Sequence, residues 1–239
     1  MATPTPLPAC DVLALGPHPD DIEIGNAGTL LLLRAAGQRL VLLDVTRGEK
    51  GSRGTVAERE AEAATATAAL GALHRGNLGL PDTGVRVDDA ATDLLVAALR
   101  QARPRLLLGP HALDVHPDHT AVAQLADRAV FLAGLRNYEP QLGEPHRPRV
   151  FLRYPGNRPI EPTLVVDITS VAAQKADVVA CYRSQRNPPD RGHLTLGLDV
   201  TERALLRDQF YGARIGVRAG EPYWHDGPLP VREMKALLG

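Results

Sequence analysis

Two short segments concentrate side chains able to do metal-assisted chemistry: Pro17-His18-Pro19-Asp20-Asp21 and His116-Pro117-Asp118-His119. Neutral imidazoles and carboxylates are ligands that zinc takes, and a catalytic zinc keeps one coordination position open for water. His18 and Asp21 stand at i and i+3, and in a tight turn entering a helix such a pair can face one centre. His119 can supply a third ligand from the other segment, which completes a His-Asp-His set. Bound zinc lowers the pKa of water towards ~7, and a carboxylate beside that water must take its proton. Asp20, next to Asp21 in the chain, is the candidate base. Developing negative charge and the leaving group need a further partner. His116 suits either task, with Asp118 holding its tautomer or stabilising its charged form. A His/Asp set does not exclude iron, cobalt or manganese in place of zinc.

A lone His-Pro-Asp triplet reads more simply as a turn, in which proline fixes φ and aspartate caps the following helix. Two such triplets, each with an additional ligand-type residue and each following an expected strand, outweigh that reading. The roles can coexist. Asp118 can cap its helix, and the helix dipole favours the negative charge of Asp20 and Asp21 at a helix start.

The elements that must position these segments follow from periodicity. Strands are expected at 11–16, 40–46, 73–78, 105–109, 149–154 and 163–168, and helices at 27–36, 56–70, 88–103, 118–133, 170–183 and 201–211. Gly37, Gly71, Pro104 and Gly134 mark helix ends. Strand and helix alternate, so the fold class is α/β: a single Rossmann-like domain over residues 1–239, with a mostly parallel sheet and helices on both faces. Residues 1–10, rich in proline and threonine, are expected to form a loose N-terminal tail. In such a sheet, ligands bind beyond the carboxyl ends of the strands. Both metal-ligand segments directly follow expected strands and would meet at that edge.

Composition bounds the rest. Of the 239 residues, 44% are hydrophobic and 23% charged, and the net charge is -1, so no global field favours nucleic acid or an anionic membrane. The N-terminal residues lack the basic and apolar regions of a signal peptide, and no apolar run is long enough to span a bilayer. A cytoplasmic protein is expected. Cys10 and Cys181 form no C-x-x-C pair and read as free thiols. The first loop carries no G-x-G-x-x-G or P-loop signature, and its two carboxylates would repel phosphates, which argues against nucleotide binding. A protein that only binds metal or sugar would have no use for Asp20 as a base.

PHPDD (17–21) followed by HPDH (116–119) resembles the signature of the LmbE-like, or PIG-L, family of zinc N-acetylglucosaminyl deacetylases. The likeness covers almost the whole chain. It is greatest to the bacillithiol-biosynthesis members, through HPDDIEIGNAGTL, GSRGTVAER, NLGLPDTG and VVDITSVAAQKADVVACYRSQ. The resemblance implies zinc on His18, Asp21 and His119, Asp20 as general base, and His116 with Asp118 assisting the transition state and leaving group. It implies a hydrolase that removes an acetyl group from an N-acetylglucosaminyl conjugate, N-acetylglucosaminyl malate before others. Chito-oligosaccharides, mycothiol-type inositol conjugates and thiol S-conjugates are the alternatives. It further implies a homo-oligomer, often hexameric in the family.

Arg59 matches an arginine lining the family's sugar pocket, and Asp82 an acid that accepts bonds from sugar hydroxyls. Arg53 can meet an anionic aglycone, since a guanidinium binds a carboxylate bidentately. The family often carries a tyrosine on a late loop that polarises the amide carbonyl. Val200 stands there in this chain, and the nearest tyrosines are Tyr182 and Tyr211. Either that loop is rearranged or His116 carries the oxyanion with less help. Ser184 and Gln185 belong to a family-like segment without an assigned role. His111 and Asp114 are candidates to support the site from behind, whereas His74, His146, His193 and His225 read as structural or exposed.

Overall fold

The computed structural model describes residues 6–186 and 199–229. Its first half alternates strand and helix: β1 (Val12–Gly16), α1 (Asp21–Ala35), β2 (Leu40–Asp44), α2 (Val56–Leu70), β3 (His74–Asn77), α3 (Asp89–Ala102), β4 (Leu106–Pro110) and α4 (Pro117–Ala133). There follow β5 (Val150–Tyr154), β6 (Leu164–Asp167), α5 (Ala172–Val179), α6 (Val200–Arg214) and β7 (Gly220–Tyr223). Strands β1 to β5 form one parallel sheet in the order β3-β2-β1-β4-β5. The sheet is covered on both faces. Leu13, Leu15, Val41, Leu43 and Leu107 pack under α3 and α4, and Val12, Ala14, Leu40, Leu42 and Leu108 pack under α1, α2 and α5. Among the described residues no helix is long and apolar enough to cross a membrane.

The strand order reverses between β1 and β4, which are hydrogen-bonded neighbours. Chain leaving β1 turns to α1 on one face, and chain leaving β4 turns to α4 on the other. The crevice between those loops is the switch point at which doubly wound sheets bind ligands.

Local chemistry sets the helix ends. Thr55 and Glu58 form a reciprocal capping box that starts α2, and Gly71 closes it with φ 65°. Asp88 caps α3 through the Ala91 N–H, and Arg103 ends it in a left-handed conformation before Pro104.

Four expectations change. Helix α1 begins at Asp21, well before the expected Ala27. Its Asp, Glu and Gly residues hide the start, and Gly25 is there because a Cβ would lie 2.4 Å from the Tyr154 ring. The helix expected over 170–183 is confined to Ala172–Val179 with short 3-10 turns around it. β6 leaves the main sheet and pairs antiparallel with β7, a strand that the glycine, glutamate and proline of GEPY concealed. Residues 7–10 are not a loose tail, because Leu7 and Cys10 are buried in the core and the Cys10 N–H donates to the Ala102 carbonyl. Both cysteines are free, and burial pushes the Cys10 thiol up to about 12.

Candidate metal centre and active site

The loop after β1 delivers three of the six candidate residues. Asp20 is the residue before α1 and holds φ at 111°, a region that side-chain-bearing residues rarely enter. Such backbone costs on the order of 1–3 kcal/mol and persists where surrounding structure enforces it. Its carboxylate makes no capping bond to α1, and so remains available to the crevice. The next residue, Asp21, turns inward and its Oδ2 accepts the His18 backbone N–H at 3.0 Å.

The loop after β4 supplies the other three. Pro117 opens α4, and the capping residue is His116, whose Nδ1 accepts the Asp118 N–H at 3.2 Å. Asp118 therefore does not cap the helix, contrary to the sequence reading. Its carboxylate accepts the N–H groups of Thr83 at 2.7 Å and Val85 at 3.3 Å, tying the β3–α3 loop to α4. Nor does that carboxylate hold the His116 ring, because its other contact is His18 Nε2 at 3.2 Å. The backbone bond to Nδ1 instead fixes His116 as the tautomer carrying its proton on Nε2.

His18, Asp21 and His119 converge. Asp21 Oδ2 lies 3.1 Å from His18 Nδ1 and 3.2 Å from His119 Nε2. A four-coordinate ion with ligands about 2.0–2.1 Å away holds them roughly 3.3 Å from each other, so the spacing fits a zinc-sized cation. The far nitrogens are also placed for that role. His119 Nδ1 meets Asp114 Oδ2 at 3.0 Å, and His18 Nε2 meets Asp118 Oδ2 at 3.2 Å and Asp82 Oδ1 at 3.3 Å. Carboxylates behind ligating histidines orient the rings and raise their basicity. A second group, His18 with His116 and Asp118, is also compact. It fits less well, because Asp118 Oδ2 contacts the ring of His18 alone, whereas Asp21 Oδ2 contacts two rings.

Asp114 is the supporting residue that the sequence named without a defined task. Both its oxygens are occupied, by His119, the His116 N–H and Asn157, and these bonds hold its carboxyl well below the usual range. The adjoining Gly156 packs so closely that a Cβ would lie 2.1 Å from Asp114 Oδ2 and 2.6 Å from His119 Nδ1.

The charges are strongly interdependent. Burial opposes protonation of His18 and His119, but the Asp21 carboxylate, joined at His119 by Asp114, lifts them to about 9 and about 10. Asp20 is pushed up to about 7 by burial and then by Asp21, with Arg59 acting in the opposite direction. A carboxyl poised near neutrality can both take and return a proton. His116 is shifted down by burial and by the neighbouring His18 and His119 charges.

A metal-bound imidazole must be neutral. Loading a divalent cation at pH 7.5 is therefore expected to release about two protons, one from each ligand histidine. Calorimetry in buffers of different ionisation enthalpy measures this directly. The sign carries to stability. In the metal-free chain the two raised histidine pKa values stabilise the fold below their ordinary 6.5, a contribution lost as pH rises through about 9 and about 10.

The cleft above the centre holds about 380 Å³ and is lined by Lys50, Asp82, His116, Asn157, Gln185 and Arg203 among others. Arg59 is buried, not a solvated helix residue. It bonds the carbonyls of Pro19 at 2.6 Å and Gly48 at 3.2 Å and lies 3.5 Å from Asp20, so it fixes the loop carrying the candidate base. Asp82 is 3% exposed and its Oδ2 accepts the Lys50 N–H at 2.7 Å, which turns its carboxylate to protein beneath His18. Arg53 donates to the Arg186 carbonyl and is not among the cleft-lining residues described. Ser184 is anchored by Glu62, and Gln185 by the Arg53 carbonyl.

All five tyrosines lie among the described residues. Tyr182 is buried, with no hydroxyl partner among the described residues, and Tyr211 bonds both backbone groups of Ile160. Tyr154, Tyr138 and Tyr223 bond Leu15, Asp93 and Glu221. None lines the cleft, whereas Val200 does. His111 packs edge-on to Trp224 and His146 bonds the Pro104 carbonyl. His74 is buried in part and His225 bonds Gly227, both away from the cleft. His193 lies outside the described residues.

Comparison with known proteins bears on the family. Residues 13–130 match the family described as PIG-L, GlcNAc-PI de-N-acetylase. A diacetylchitobiose deacetylase of Thermococcus kodakarensis is 30% identical over 73% of this chain and 69% of its own. A Bacillus cereus protein named "Probable N-acetyl-alpha-D-glucosaminyl L-malate deacetylase 2" is 27% identical over 73% of this chain and 83% of its own. The crystal structure of the conserved protein TT1542 from Thermus thermophilus superposes with a TM-score of 0.84 at 41% identity, covering 93% of this chain and 97% of that one. The sheet order, the His-Asp-His convergence and these likenesses agree, and the chain belongs to the PIG-L/LmbE-like deacetylase family.

Proposed function

We propose that this chain hydrolyses the acetamide of an N-acetylglucosaminyl conjugate with a divalent cation, zinc before others, held by His18, Asp21 and His119. We further assign N-acetylglucosaminyl malate as the conjugate, the deacetylation step of bacillithiol synthesis. The observation that carries the catalytic reading is the single oxygen, Asp21 Oδ2, set 3.1 and 3.2 Å from two ring nitrogens, with Asp20 beside it at a pKa of about 7. When bound, the cation supplies Lewis acidity that acidifies water and polarises a carbonyl.

The chain's own residues do the rest. Asp20 takes a proton from the attacking water as its oxygen forms a C–O bond to the acetamide carbon. Negative charge gathers on the carbonyl oxygen, where the His116 Nε2–H can donate. His116 acts as a neutral donor, because its Nδ1 is occupied by the Asp118 N–H and its pKa is lowered. This replaces the charged His116 allowed by the sequence reading. The C–N bond then breaks, the leaving nitrogen recovers the proton from Asp20, and acetate and a free amine result. Arg59 and Asp82 serve as positioning residues, for the Asp20 loop and for His18.

The malate assignment draws on the likeness to the Bacillus cereus protein, of which this chain covers 83%. The test compares kcat/KM for N-acetylglucosaminyl malate with that for N-acetylglucosamine, diacetylchitobiose, an N-acetylglucosaminyl inositol and a mercapturate. The malate conjugate is expected to be turned over best. Equal or better turnover of another compound in that set overturns the malate assignment and leaves the deacetylase reading standing.

A further inference from the structure

A second chamber of about 380 Å³ opens beside the metal centre, between the segment after β5 and helix α6. It shares Asp21, Ile24, Asn157, Val200 and Arg203 with the cleft, so the two adjoin across these residues. Its walls are apolar on the far side, where Tyr154, Pro155, Pro159, Ala204 and Phe210 contribute. Three arginines line it, and they differ in their engagement. Arg207 is committed to the protein, since its guanidinium bonds the carbonyls of Ile24 and Pro155. Arg158 and Arg203 are exposed, and among the described residues neither side chain has a hydrogen-bond or ion-pair partner. Two unpaired guanidiniums over an apolar floor complement a carboxylate borne on a carbon frame.

We propose that this chamber is the aglycone subsite and that Arg158 and Arg203 select conjugates whose aglycone carries a carboxylate. The inference rests on the deacetylase reading, which puts the sugar's acetamide at the metal centre. The group attached to the sugar then extends into the adjoining space. Arg53, the sequence's candidate for this contact, reaches the Arg186 carbonyl instead.

A matched pair of ligands isolates the charge: p-carboxyphenyl and p-carbamoylphenyl glucosaminides, equal in size. Both are deacetylated already, so calorimetric binding to the metal-loaded wild-type protein requires no turnover. The acid is expected to bind about tenfold tighter than the amide, the scale of one charge-assisted hydrogen bond. The Arg158→Ala/Arg203→Ala double variant is expected to bind the two equally, and Arg203→Lys with Arg158 intact to keep most of the preference. With the N-acetylated forms as substrates, the double variant lowers kcat/KM for the acid more than for the amide, and an equal effect on both overturns the proposal.

Equal binding of acid and amide to the wild type overturns the proposal. So does a preference that survives in the double variant, or failure of both ligands to bind. Charge-selective binding without hydrolysis of any N-acetylated form would defeat the deacetylase reading and leave the anion-selective chamber standing.

Discussion

Asp20→Asn is expected to retain the bound cation and to lose hydrolysis by ~10²–10⁴-fold, the usual contribution of a positioned acid–base group. Asparagine matches aspartate in shape and can keep the unusual backbone, since it is among the residues that tolerate positive φ. It cannot take a proton from water. The three ligand residues are untouched, so metal content should match the wild type. Acetate release and metal analysis on one preparation measure both. The pH profile adds a second check. In the metal-free chain Asp20 titrates at about 7, and a nearby cation favours its ionised form and moves that value down. Activity should therefore rise with pH along a limb at or below 7, because the base must be deprotonated, and the variant's residual activity should lack that limb. Undiminished hydrolysis would remove Asp20 as the base. Intact metal binding without wild-type catalysis would return the chain to a binding protein.

Asp21→Ala is expected to abolish metal binding at stoichiometric concentrations, and activity with it. Its Oδ2 is in contact with both ring nitrogens. Removing it leaves His18 and His119 facing a gap, each with its far nitrogen still held by other carboxylates. Loss of a supporting residue behind a ligand usually costs 10–100-fold in metal affinity, and loss of the ligand itself exceeds that range. Asp114→Asn supplies the milder comparison, because it weakens the bond behind His119 while keeping all three ligands. Competition against a chelator of known affinity ranks the three proteins. Unchanged affinity in Asp21→Ala would transfer the cation to His18, His116 and Asp118, the other compact group.

The elements that carry the site were legible because their signals are local. β1, β4 and the start of α4 are short apolar runs ending in proline-marked loops, and the boundaries of α2 follow from Thr55, Glu58 and Gly71. What the sequence hid depends on distant partners. The start of α1 was obscured by Gly25, whose missing Cβ makes room for Tyr154. The grouping of Asp82, Asp114 and Asp118 behind the histidines depends on strand order, which no local pattern encodes. The Asp118–His116 partnership was misjudged for a similar reason. A cap by His116 competes with a cap by Asp118, and contacts from the β3–α3 loop decide between them.

Arg59 shows what a helix pattern alone leaves hidden. A basic residue on a surface-type helix gives no hint of burial. Its partners are the carbonyls of Pro19 and Gly48, both in loops that reach it only when the sheet is assembled.

The most direct measurement of the central claim is acetate release from an N-acetylglucosaminyl conjugate as the protein is stripped of metal and then titrated with zinc. The account predicts that acetate and free amine appear in equal amounts, that stripping stops both, and that activity returns in proportion to zinc up to one equivalent per chain. Acetate release that continues in the stripped protein, or full zinc loading with no acetate from any N-acetylated sugar, would contradict it.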